Sequence, residues 1–186
     1  MRRSFAIVCV SLFLLCGASI AFAQEMPEMP KPQKEHQWLE QLAGDWTAVI
    51  EASMGPDQPP MKCEGTQSAK MVGGRWLIAD GEGEMMGQQM TSVLTLGFDP
   101  AKKKYVGTFI SSCANDLWTY EGTVSDDGKK LMLETEGPNM MSPGETSKYR
   151  ETIEIKDKDH YVFTSAMEGP DGKWTTFMTA KYDRKK

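Results

Sequence analysis

Beyond its first 23 residues this chain is poor in the groups that catalysis and metal binding use. It holds two histidines, His36 and His160, and two cysteines, Cys63 and Cys113. It has no G-x-S-x-G elbow, no H-E-x-x-H pair, no phosphate loop and no calcium-loop spacing. A Ser-His-Asp set would depend on His160 alone, and His160 sits beside the acidic turn residues Asp157 and Asp159. No catalytic residue is assigned, no cofactor is expected, and a non-enzymatic role follows. Positive charge is scarce as well. Residues 1–23 carry two of the 21 Lys and Arg, so 19 remain against 26 Asp and Glu, a net charge of −7. That balance argues against a nucleic-acid groove or an anionic-membrane surface.

The one long apolar run lies at the start. Arg2 and Arg3 precede the stretch from Phe5 to Ile20, and Ala21-Phe22-Ala23 supplies small residues at both positions read by a signal peptidase. This is the pattern of a secretory signal peptide over 1–23, cut before Gln24, with no membrane span left after cleavage. A periplasmic or secreted location is expected. In such a compartment Cys63 and Cys113 are either a disulfide or two separate buried thiols. Residues 24–33 hold Pro27, Pro30 and Pro32 and read as an extended leader. The remaining stretch, 34–186, is the length of one domain.

Within that domain the hydrophobic period changes once. Trp38, Leu39 and Leu42 share a helical face, and Gly44 is placed to end the helix in a left-handed conformation. From Trp46 the period is two. Trp46, Ala48 and Ile50 alternate with Thr47, Val49 and Glu51, and nine similar runs follow. Gly73-Gly74, Gly87-Gln88, Asp126-Asp127-Gly128 and Asp171-Gly172 punctuate them. About ten strands joined by short turns, with no helix between them, must pair antiparallel. Closure removes the exposed edges. The expectation is all-β: a ten-stranded antiparallel up-and-down barrel preceded by one short helix, with a two-sheet sandwich as the alternative.

Gly44-Asp45-Trp46 after a short helix resembles the glycine-x-tryptophan start of lipocalin and calycin barrels. The stretch from Glu35 to Lys185 more closely resembles bacterial domain-of-unknown-function family 1579. The likeness rests on Leu42-Ala43-Gly44-Asp45-Trp46, Val72-Gly73-Gly74-Arg75-Trp76, Leu96-Gly97-Phe98-Asp99, Lys103-Lys104-Tyr105-Val106, Tyr120-Glu121-Gly122, Asp171-Gly172-Lys173 and Tyr182-Asp183-Arg184-Lys185. It implies a lipocalin-like barrel and no activity. Likeness to lipocalins also implies that Trp46 is structural, with a basic residue of the last strand, Arg184 or Lys181, stacked on its indole. Nitrobindin-type barrels are a more distant likeness and bind haem through histidine. Neither His36, ahead of the first strand, nor His160, at a strand start, has the apolar setting of an axial ligand.

A barrel of this width has room for a cavity. Trp76, Tyr105, Trp118, Tyr120, Tyr149 and Trp174 are candidates to line it, and Arg75 or Arg150 to meet a ligand anion. The expected function is binding of a small apolar ligand. The alternative is an interaction domain with a filled core. Two further clusters stand out. Asp80, Glu82 and Glu84 share one strand face and read as solvent-facing, because three unpaired buried carboxylates would be costly. Met85, Met86 and Met90 form a thioether group of the kind that suits Cu(I), although methionine more commonly fills irregular apolar space.

Overall fold

The computed structural model describes residues 31–53, 59–85, 87–139, 142 and 144–186, with only the backbone at position 85. The signal segment over 1–23 and most of the leader over 24–33 lie outside the described residues. So do Met86 and the side chain of Met85.

One helix, α1 (Lys34–Glu40), precedes ten strands: β1 (Gly44–Ala52), β2 (Met61–Val72), β3 (Trp76–Met85), β4 (Gln88–Asp99), β5 (Lys104–Ser111), β6 (Trp118–Val124), β7 (Lys130–Pro138), β8 (Thr146–Ile155), β9 (His160–Glu168) and β10 (Trp174–Arg184). Each strand pairs antiparallel with the next, and β10 returns to β1, which closes the sheet into a barrel. Ala48 of β1 thus lies opposite Gly65 of β2 on one side and Tyr182 of β10 on the other. Closure leaves no free edge for another chain to pair with. No helix among the described residues is long and apolar enough to cross a membrane.

Side chains of a strand alternate between the two faces of its sheet. On β7 this gives buried Leu131, Leu133 and Thr135 between exposed Lys130, Met132, Glu134 and Glu136. On β3 it buries Leu77 and Ala79 and leaves Asp80, Glu82 and Glu84 in solvent.

Helix α1 closes one end. Trp38, Leu39 and Leu42 are buried there with Trp46, Leu96 and Tyr105. Fully burying an aliphatic side chain of this size is worth about 1.5–3 kcal/mol, so these contacts hold a helix too short to form alone. Three hydrogen bonds fix its position. Trp38 Nε1 donates to Gly128 O at 2.7 Å, Tyr105 Oη to Glu35 O at 3.0 Å and Trp46 Nε1 to Leu42 O at 3.0 Å. His36 belongs to this end too: its Nδ1 accepts from Gln33 N, and its ring meets Phe98 edge-on.

Gly44 joins the helix to the barrel with φ of +125°, in the range that favours glycine. A Cβ there would fall 2.3 Å from Arg184 Nη1. The Arg184 guanidinium lies 4.0 Å over the Trp46 ring, donates to Ala43 O at 2.7 Å and Gln41 O at 3.0 Å, and reaches Lys158 O at 3.0 Å. One side chain thereby ties the helix exit, the first strand, the last strand and the β8–β9 turn together.

Candidate functional site: an apolar cavity in the barrel

A cavity of about 310 Å³ runs from the helix plug toward the other end of the barrel, where exposed Cys113 is among its lining residues. Its shape follows from an uneven distribution of side-chain size. Ala48, Gly65, Ala79, Gly81, Gly83 and Ala180 make a thin wall from β10 through β1 to β3. Phe109, Trp118, Tyr120, Tyr149, Phe163 and Phe177 make a thick aromatic one. Large residues on both sides would fill the barrel; small residues along one side leave space beside rings that are already packed. Trp118 meets Tyr149 edge-on at 5.1 Å, and Tyr149 meets Phe177 at 6.1 Å.

Of the eight residues expected to line a cavity, three do so: Trp118, Tyr120 and Tyr149. Tyr105 faces inward but lies in the helix plug, against Trp38 and Phe98. Arg75 sits in the β2–β3 turn at the plugged end, bonded through its amide to Val72 O. Trp76, Arg150 and Trp174 are on the outside. The strand period decides the first two of these, since Leu77 and Tyr149 take the inward positions next to them. Trp76 covers Gly97 of β4, where a Cβ would fall 2.5 Å from the indole. Arg150 pairs with Glu134 at 2.8 Å and lies 4.0 Å over the Trp174 ring.

Trp174 is outside because of a backbone irregularity. Simple alternation puts Trp174, Thr176, Met178, Ala180 and Tyr182 on one face. In β10 the register shifts between Thr176 and Met178, so Phe177 is an extra residue. Such a bulge reverses which face each residue takes on its two sides. Phe177 and Met178 consequently both line the cavity, while Trp174 is turned out.

The two cysteines are free thiols, so no Cys63–Cys113 disulfide is formed here. Cys63 is half-buried in β2 opposite Ile50, and Cys113 is in the exposed stretch after β5; β3 and β4 intervene between those two strands. Burial raises the Cys63 thiol above its ordinary range. Met90 lines the cavity as one apolar member among many. His160 is exposed, with Nδ1 2.7 Å from Asp157 Oδ1, and neither histidine lines the cavity.

The polar groups of the interior were not singled out in the sequence. Gln67 Nε2 donates to Tyr161 Oη at 2.8 Å, and the Tyr161 and Tyr182 rings stack at 4.2 Å. Glu151 is the more consequential one. It projects inward from the middle of β8, between Leu133 of β7 and Ser165 of β9. Its Oε1 accepts from Ser165 Oγ at 2.8 Å, while Oε2 is buried without a hydrogen-bond partner among the described residues. Burial pushes the carboxyl up to about 7, against the Ser165 bond, which favours the charged form. The signal was present in the alternation Tyr149, Glu151, Ile153, which places one acid on an otherwise apolar face.

A closed antiparallel barrel, plugged by a helix and hollow beside an aromatic wall, is a lipocalin-like barrel. The chain belongs to the family described as "Protein of unknown function (DUF1579)", whose model matches residues 31–184. No curated protein matches it significantly. Among solved structures it is similar in fold to Rv2717c from M. tuberculosis, with 15% identity, a TM-score of 0.57, and coverage of 84% of this chain and 100% of that one. EF1p2_mFAP2b bound to DFHBI aligns at 11% identity and a TM-score of 0.39, over 81% of this chain and 98% of that one. Likeness that slight carries nothing about the present cavity.

Proposed function

We propose that this protein binds a small, predominantly apolar ligand inside its barrel, outside the cytoplasm, and is not an enzyme. The cavity carries this reading. It is about 310 Å³, within the range of small-molecule sites, apolar over most of its wall, and provided with a few inward polar groups. A domain that served only as a packed scaffold would gain stability by filling that space, since voids lower it in proportion to their volume. The signal pattern over 1–23 supports the location; protein recovered from its own host begins at Gln24 on this reading, and an intact N-terminus would refute export by that route.

The thin wall gives the test of binding. Ala79→Leu and Ala180→Leu each add three side-chain carbons where the barrel has room. Saturable uptake of the neutral lipophilic dye N-phenyl-1-naphthylamine is expected for the native protein and at least about tenfold weaker uptake for the double variant. Its melting temperature is expected to be equal or higher, because filling a void restores contacts. Equal dye uptake by both proteins would place the dye elsewhere and remove the support for this reading.

A further inference from the structure

The cavity has one buried acid in its wall, Glu151. Among the described residues, no Lys, Arg or His lines it, and the second lining acid, Glu82, is exposed on β3. Glu151 is therefore the only charge that a bound molecule would meet in the interior. Glu151 itself lines the cavity; its Oε1 accepts from Ser165, and its buried Oε2 has no hydrogen-bond partner among the described residues. A carboxylate in that position repels an anion and leaves it unsatisfied, whereas an N–H or O–H donor supplies the missing partner. A cationic donor adds Coulomb attraction that is weakly screened away from water.

We propose that the barrel selects an apolar ligand carrying a basic nitrogen, whose N–H donates to the Glu151 carboxylate while its hydrocarbon part lies against the aromatic wall, and that it discriminates against carboxylates. This rests on the binding reading above and deepens it by naming the ligand class. The neighbours of Glu151 leave it to act alone. The strand β7 presents Leu133 and β9 presents Ser165 and Tyr161; β6 presents Tyr120, β8 itself Tyr149, and β10 Tyr182. Burial raises the phenols of Tyr120, Tyr161 and Tyr182, so those groups stay neutral up to pH 8. With the Glu151 carboxyl pushed up to about 7, its charge is lost as pH falls through that value. Amine binding then weakens with acidification in step with it.

Calorimetric titration of the native protein with octylamine, octanol and octanoate tests this. At pH 8 octylamine is expected to bind at least about tenfold tighter than octanol, and octanoate weakest of the three. Between pH 8 and pH 5.5 the amine-to-alcohol ratio is expected to fall to within about threefold; this arm needs no variant. Glu151→Gln, which keeps the side-chain shape, is expected to reduce the ratio at pH 8 to the same extent. Binding of all three probes with equal affinity, indifferent to pH and to Glu151→Gln, would overturn the selectivity while leaving the cavity as a general apolar site. Binding of none would overturn both.

Discussion

Trp46→Ala is expected to lower the stability of the barrel by about 3–5 kcal/mol, the range for removing a large buried aromatic side chain. Trp46 is 1% exposed, and its ring meets Tyr161 edge-on at 4.7 Å. The substitution leaves a void under the helix plug and strips Leu42 O of its Nε1–H donor in a buried setting. It also removes the surface on which Arg184 lies, and with it a cation–π contact worth about 0.5–2 kcal/mol. A domain of this size loses about 2–4 °C per kcal/mol, so a fall of roughly 10 °C or more in Tm is expected. Arg184→Lys is expected to produce a smaller fall. A lysine cannot make the three backbone bonds and the ring contact at once, but it keeps the charge. Trp46 does not line the cavity. Whatever Trp46→Ala variant remains folded is thus expected to rank amine, alcohol and carboxylate as the native protein does. An unchanged melting temperature would contradict the role given to this residue.

The second large effect is a gain in stability, and it depends on pH. The Glu151 carboxyl is held at about 7 in the fold against an ordinary value of 4.5. Between those values the folded protein keeps a proton that the unfolded chain releases. Stability therefore falls as pH rises from about 4.5 to about 7, then levels off. At about 1.4 kcal/mol per pH unit, the ionised carboxylate costs the fold about 3 kcal/mol at pH 8. Glu151→Gln removes the titration. It is expected to be more stable than the native protein by about 2–3 kcal/mol at pH 8 and equal to it near pH 4, as read from urea unfolding at both pH values. A difference of the same size at both would show that Glu151 does not titrate in this way. An interior acid that the fold would be more stable without is the kind of group retained for binding.

The fold was legible because its signals were local and repeated. Ten runs of period two, turn residues between them and one amphipathic segment ahead of Gly44 leave few alternatives, and the register follows from short turns. The lining of the interior was less legible. Aromatic residues were selected by type, and type does not say which face of a strand they occupy. Counting parity within β3 and β8 would have assigned Trp76 and Arg150 to the outside. Trp174 was beyond that method, since the shift at Phe177 is a feature of the β9–β10 pairing and leaves no mark in the local alternation. Glu151 was legible in principle. An acid spaced two residues from Tyr149 and two from Ile153 breaks the apolar pattern of an inward face. The thin wall was harder to see, because alanine and glycine at Ala48, Gly81 and Ala180 carry no hydrophobic signal of their own. Their consequence appears only when closure brings β10, β1, β2 and β3 side by side.

The most direct measurement of ligand entry uses those same small residues. The methyl groups of Ala48, Ala79 and Ala180 point into the cavity, whereas Ala166 lies on the outer side of the sheet, opposite Arg150. In a methyl NMR titration of the ¹³C-alanine-labelled protein with octylamine, the three inner methyl signals are predicted to shift together and saturably, with Ala166 unmoved. Saturating shifts confined to outer alanines, or none at ligand concentrations where calorimetry reports binding, would contradict a ligand site inside the barrel.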